Sequence, residues 1–197
     1  MGFAQQWKGV NGYMIRSPGE LFEKYNETNG IGYSIAFMLV SYLAVMLPLG
    51  VLFVLANITE PSQIAVGLAI TLGLAVLYWV LGLVEASLAH VVLYLFGARG
   101  LAKTFDAYAF PIVVRNGLWW IPLVNLLLGF YGLYLQIKGL AAFHDISTGK
   151  AAIAAILAPL LIFVPATVVI AAVIAAFVLD MGEPATQPAM LALELVV

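Results

Sequence analysis

The stretch Gly97-Ala98-Arg99-Gly100-Leu101-Ala102-Lys103-Thr104-Phe105-Asp106-Ala107-Tyr108-Ala109-Phe110-Pro111 decides the fold, together with its continuation through Trp119-Trp120-Ile121-Pro122 to His144-Asp145-Ile146-Ser147-Thr148-Gly149-Lys150-Ala151. It holds a short basic turn, an apolar segment broken by Pro111, a second apolar segment rich in Gly and Tyr, and a second basic turn. Lys and Arg flanking membrane spans collect on the cytoplasmic face, so two basic turns joined by two apolar segments read as a membrane hairpin with both mouths on one side. The other apolar segments are expected to pack around it.

The solvent for most of this chain is lipid. Of 197 residues, 64% are hydrophobic and 9% charged, with a mean hydropathy of +1.07, against about 45–50% apolar and about 25% charged in ordinary soluble domains. A soluble domain of this size has no interior large enough for that surface. The net charge of −2 and the scattering of eight Lys and Arg residues between apolar segments exclude nucleic acid as a partner. With no Cys there is no disulfide, thiolate metal site or cysteine nucleophile. Residues 1–30 lack the basic, apolar, small-residue order of a cleaved signal peptide. Met1-Gly2 is not followed by a myristoylation motif either, because Gln6 stands where Ser or Thr is needed.

In chain order, residues 1–30 are expected to be a cytoplasmic segment against the headgroups, with Lys8, Arg16 and Lys24 beside Trp7, Tyr13, Phe22 and Tyr25. Ser17-Pro18-Gly19-Glu20 predicts a helix start, with a Ser cap, Pro at the first position and Glu at the third, opening a short interfacial helix to about Tyr25. Span one runs from Ile31 to about Ala56, with Pro48 inside it, and span two from Ile64 to Phe96. At about 1.5 Å per residue span two is near 50 Å, longer than a bilayer requires. Gly67, Gly73, Gly82 and Ala86 along it predict close helix packing. Span three is expected from Phe105 to Leu118, broken by Pro111. Span four runs from Leu123 to Phe143, with Gly129, Gly132 and Gly139 as close-approach positions. Span five runs from Ala151 to Leu179, bent by Pro159 and Pro165.

These segments predict an all-α polytopic integral membrane helical bundle of five transmembrane helices with a short N-terminal interfacial helix. The membrane domain is residues 31–179, and residues 180–197 are a short extracytoplasmic tail. Five spans put Lys8, Arg16, Lys24, Arg99, Lys103 and Lys150 on one side, taken as the cytoplasm, with the N-terminus inside and the C-terminus outside. Arg115 is the exception, and it is expected to snorkel to the outer interface near the tryptophans.

The ionisable residues near the membrane are Glu85, His90, Asp106, Lys138, His144 and Asp145. Glu85, His90, Lys138 and His144 fall in the inner half of their spans and form a candidate intramembrane polar cluster. A charge held in lipid is costly, about 2.5–3.5 kcal/mol, and usually faces a partner or a cavity. The ordinary reading is a Glu85–Lys138 pair locking two helices, with both His residues as interfacial hydrogen-bonders. A proton relay or coupling site is the functional reading. A metal site is not expected, since Glu85 and His90 fall on different faces of one helix and a metal needs three or four convergent ligands. No Ser/His/Asp arrangement, phosphate-binding loop or HExxH is present, so no catalytic residue, enzyme activity or cofactor is expected.

The run Gly97-x-x-Gly100 with Thr104-Phe105, then Tyr108-Ala109-x-Pro111, Trp120-Ile121-Pro122, Tyr134, Gly139-Leu140, His144-x-Ile146-Ser147 and Gly149-Lys150-Ala151, resembles the YIP family, small five-span membrane proteins named for interaction with Ypt and Rab GTPases. The resemblance covers roughly residues 17–179, including Ser17-Pro18 and Phe22. It implies Gly97, Gly100, Tyr108, Pro111, Pro122, Gly139, His144 and Lys150 as family-motif positions. The family often shows Gly-Gly-Lys-Gly where this chain has Gly97-Ala98-Arg99-Gly100. Only about thirty residues precede span one, so the chain looks like a prokaryotic-type member of the cytoplasmic membrane, and small-GTPase binding is not expected. The function expected is a non-enzymatic organiser that scaffolds other membrane proteins or itself, as a homo-oligomer, or shapes the lipid bilayer. The alternative is a small transporter or channel using Glu85, His90 and Lys138.

Overall fold

The computed structural model describes residues 2–25 and 29–182, with side chains to residue 177. Regular structure in these residues is helical: α1 (Phe3–Arg16), α2 (Pro18–Lys24), α3 (Ile31–Ala56), α4 (Pro61–Leu95), α5 (Leu101–Ala109), α6 (Ile112–Asn116), α7 (Pro122–His144) and α8 (Thr148–Gly182). Residues up to Pro159 form one compact unit, and α8 from Leu160 onward belongs to a second. In lipid every backbone N–H and C=O must be satisfied within its own segment, which is why long apolar runs fold as helices. Four helices are long and apolar enough to cross a bilayer: α3, α4, α7 and α8 to Phe177, with mean hydropathies of 2.4, 2.3, 1.4 and 2.8. The bundle is polytopic and all-helical as expected, but the third of the five expected spans is not one helix.

Small residues bring α3 and α4 together as an antiparallel hairpin. A Cβ built on Gly67 would lie 2.6 Å from Phe53 Cβ, one on Gly50 3.3 Å from Thr71 Cγ2, and one on Gly82 3.0 Å from Met38 Cε. These positions are glycine because the facing helix occupies the space a side chain would need. Ala75, Ala86 and Ala89 are buried along the same helix. Gly73, expected to share this role, has nothing within 4 Å of such a Cβ.

The segment between α4 and α7 is the core of the unit that ends at Pro159. Residues 104–112 are all buried, although they include Thr104, Asp106 and Tyr108. Pro111 lacks the N–H a continuing helix would use, and the chain breaks there into α5 and α6. Ser34 contacts Asp106 and Phe37 contacts Phe110, so α5 runs alongside α3 in the same direction. Thr104 contacts His144, Ala107 faces Gly139 and Arg115 faces Gly132, so α5 and α6 run antiparallel to α7. The C-terminal ends of α4 and α7 therefore lie at the same end of the bundle. Since α7 has 23 residues, or about 34 Å at 1.5 Å per residue, the broken segment carries the chain back along the bundle.

The N-terminal residues fold more than the sequence predicts. Besides the expected α2, residues 3–16 form α1, whose Val10, Asn11 and Met14 are buried. Phe3 packs edge-on to Tyr33, Trp7 lies against Phe37, and Trp7 Nε1 donates to Ser41 Oγ at 2.9 Å. Apolar residues at positions 3, 7, 10 and 14 lie on one helical stripe, the spacing that drives this docking. In α2 the Ser17 side chain makes no capping bond. Glu20 instead accepts from Lys24 Nζ at 2.7 Å, and Lys24 also reaches the Tyr13 hydroxyl. The hydrogen bond to Glu20, then that to Tyr13, holds the exposed Lys24 ammonium above its ordinary pKa. Phe22 and Tyr25 pack on Phe143, and Tyr25 also on Phe110. The tail expected from Asp180, with Glu183, Pro184, Pro188, Glu194 and an apolar end, lies outside the described residues from 183 onward.

Candidate functional site

Polar side chains from α5 and α6 tie the neighbouring helices together at three levels. The first tie stands at the ends of α4 and α7. His90 Nδ1 lies 2.8 Å from Thr104 Oγ1, which lies 2.9 Å from His144 Nε2, and the two imidazole centroids are 6.1 Å apart. A hydroxyl carries one proton, so Thr104 donates to one ring nitrogen and accepts from the other when both rings are neutral. Two turns bring these residues together. Gly97, at φ +88, closes α4, with Gly97 N–H donating to Tyr94 O and Ala98 N–H to Leu93 O, the pattern in which a left-handed residue satisfies the last carbonyls of a helix. Asp145 ends α7 in the same way at φ 52, with Ile146 N–H donating to Ala141 O.

The second tie is Asp106, fully buried, which accepts a hydrogen bond from the Ser34 hydroxyl of α3. Its other carboxylate oxygen, Oδ2, has no hydrogen-bond partner among the described residues, nor has the buried Tyr108 hydroxyl.

The third tie holds Arg115. Its Nη1 donates to Gln136 Oε1 at 3.0 Å and lies 3.6 Å from Glu85 Oε1. Arg115, expected from the sequence to snorkel to the outer interface, instead turns between α4 and α7 to Glu85 and Gln136. Gly132 makes the room: a Cβ there would lie 2.4 Å from Arg115 Cβ. The Glu85 partner is thus Arg115 and not Lys138. Lys138 is exposed on α7, its Nζ 6.0 Å from the Tyr134 ring centroid. Of the four residues expected to cluster, the structure joins His90 to His144, gives Glu85 to Arg115, and leaves Lys138 outside.

The family-motif positions acquire physical roles. Gly97 and Gly100 hold positive φ, Tyr108 is buried, and Pro111 breaks the helix. Pro122 opens α7, and Gly139 lets Phe22 approach, its added Cβ 2.8 Å from Phe22 Cε1. Lys150 Nζ lies 5.9 Å from the Phe96 ring centroid. Among the described residues no group of three or more His, Cys, Asp and Glu is placed to hold a metal ion. Sequence reasoning missed Ser34 and Gln136, and took Thr104 only as part of the family-like run and not as a bridge. Their only signal is an uncharged hydrogen-bonding residue in an apolar run, which reads equally well as packing.

Antiparallel apolar helices around a buried broken helix define a polytopic α-helical membrane protein. A family model described as the Yip1 domain matches residues 12–171, and the chain belongs to that family. No curated protein and no solved structure gives a significant match.

Proposed function

We propose that this Yip1-domain protein is a non-enzymatic organiser of the membrane, assembling other membrane proteins or copies of itself. The observation that supports this most is how its buried polar groups are used. His90, Thr104 and His144 join α4, α5 and α7, Asp106 and Ser34 join α5 and α3, and Arg115 and Gln136 join α6 and α7. Such bonds fix a shape. The same helices expose large apolar side chains, among them Leu68, Leu72 and Leu77 on α4 and Leu126, Leu127 and Phe130 on α7. A rigid frame with broad apolar flanks suits packing against neighbouring helices, where close van der Waals fit drives association. The N-terminus and both basic turns are assigned to the cytoplasmic side by their Lys and Arg.

The test is gentle solubilisation from the native membrane, with mass spectrometry of co-purifying proteins and of the intact particle. A reproducible stoichiometric partner, or a defined homo-oligomer, is expected. A lone monomer with no partner overturns the reading.

Transport is the second reading, favoured by the buried and unpartnered Asp106 Oδ2 and Tyr108 hydroxyl, since an intramembrane carboxylate is a usual relay element. Proton flux in liposomes that Asp106→Asn abolishes without loss of folding would establish it.

A further inference from the structure

The two basic turns make a joint surface at the end of the bundle where α4 and α7 finish and α8 begins. Lys150 Nζ, 5.9 Å from the Phe96 ring centroid, brings the α8 start beside the α4 end. The Arg99 guanidinium stacks on the Tyr94 ring at 4.0 Å, and its Nη1 donates to Ala98 O at 2.8 Å. Lys103 folds its stem over Gly100, whose added Cβ would lie 3.4 Å from Lys103 Cδ. All three cations are exposed. The two ion pairs among the described residues, Lys24–Glu20 and Arg115–Glu85, involve none of them.

Three exposed cations without an acidic partner, two of them resting on aromatic faces, present positive charge that is already ordered. Cations and aromatic rings at the ends of apolar helices suit the headgroup layer, where both gather. Directly along α4 from the cations, Val91 and Leu95 are exposed, Leu95 to 78%. Charge above and apolar surface below match the two parts of a phospholipid, whereas a free anion has no use for the second.

We propose that Arg99, Lys103 and Lys150 together bind the phosphate of an acidic phospholipid, whose acyl chains lie along the Val91 and Leu95 flank of α4. This inference does not depend on the organiser reading and survives its failure. The test uses the full chain in detergent, equilibrated with equal amounts of phosphatidylglycerol and phosphatidylcholine and examined by native mass spectrometry. Wild type should retain phosphatidylglycerol preferentially. Lys103→Gln/Lys150→Gln should reduce that retention on the order of tenfold, from the usual attraction of two basic side chains to an anionic surface, with the melting temperature unchanged. Lys8→Gln, outside the two turns, should leave it as it is. If the double variant does not fold, raising salt from about 50 to about 500 mM on wild type should strip the lipid, because exposed charges are screened. Equal retention of both lipids, or retention insensitive to both the double variant and salt, overturns the proposal. So does displacement by inorganic phosphate alone, which would make this a free-anion site.

Discussion

Arg115 Nη1 lies 3.6 Å from Glu85 Oε1, joining the short helix after Pro111 to the C-terminal half of α4. Removing one member of a largely buried pair leaves the other charge without a partner. Arg115→Met is therefore expected to destabilise the protein by roughly 2–4 kcal/mol, less than a fully buried pair because Arg115 keeps some exposure. Glu85→Gln with Arg115→Met should lose clearly less than the two single changes summed, and Lys138→Met should stay within about 0.5 kcal/mol. Thermal unfolding in detergent reads all four variants. Additive losses would show that the two residues do not interact.

The Thr104 hydroxyl touches both His90 and His144. Thr104→Val keeps the shape and removes the hydroxyl, leaving two imidazole nitrogens facing a methyl group, at a loss of about 1–3 kcal/mol. Thr104→Ser restores the hydroxyl and should recover most of it. Equal stability of the Val and Ser variants would mean that this bridge contributes nothing.

The ends of α4 and α7 solve one problem with different residues. Gly97 holds φ +88 and Asp145 holds φ 52, the only non-glycine with positive φ among the described residues. Asp145→Gly removes a steric penalty and should stabilise by about 0.5–1 kcal/mol, whereas Gly97→Ala introduces one of about 1–2 kcal/mol. Melting temperatures moving in opposite directions would confirm the turns. A stabilised Gly97→Ala would contradict them.

What was legible in the sequence follows from which signals are one-dimensional. Long apolar runs, the two basic turns, and Pro111 as a break all depend on local composition, and the helices, the shared end of α4 and α7, and the α5/α6 break follow them. Partner choice depends on rotation about helix axes, which composition does not carry. The sequence paired Glu85 with Lys138 and sent Arg115 to the outer interface, whereas α6, turning after Pro111, and Gly132, opening the way for the Arg115 stem, bring Arg115 to Glu85 instead. For α1 the stripe Phe3, Trp7, Val10, Met14 was present, but interleaved Gln, Lys, Gly and Asn masked it as a headgroup-bound segment. The Thr104 bridge was invisible because a single hydroxyl in an apolar run has no pattern.

The glycines offer a test with its own control, because sequence alone ranked them alike. A Cβ on Gly67 would lie 2.6 Å from Phe53 Cβ, close to the α3 backbone, and one on Gly139 would lie 3.1 Å from Ala107 Cβ, whereas Gly73 and Gly129 have nothing within 4 Å. Gly67→Ala forces α3 and α4 apart and should cost about 1–3 kcal/mol, with Gly139→Ala at the lower end of that range because the Phe22 ring edge can shift. Gly73→Ala and Gly129→Ala meet no neighbour and gain helix propensity, so they should be neutral or stabilising by up to about 1 kcal/mol. Melting temperatures of the four variants in one detergent decide the matter. A Gly73→Ala loss as large as that of Gly67→Ala would mean that the face of α4 bearing Gly73 is packed against something else in the membrane, a second copy or a partner, and would turn this stability measurement into evidence for assembly.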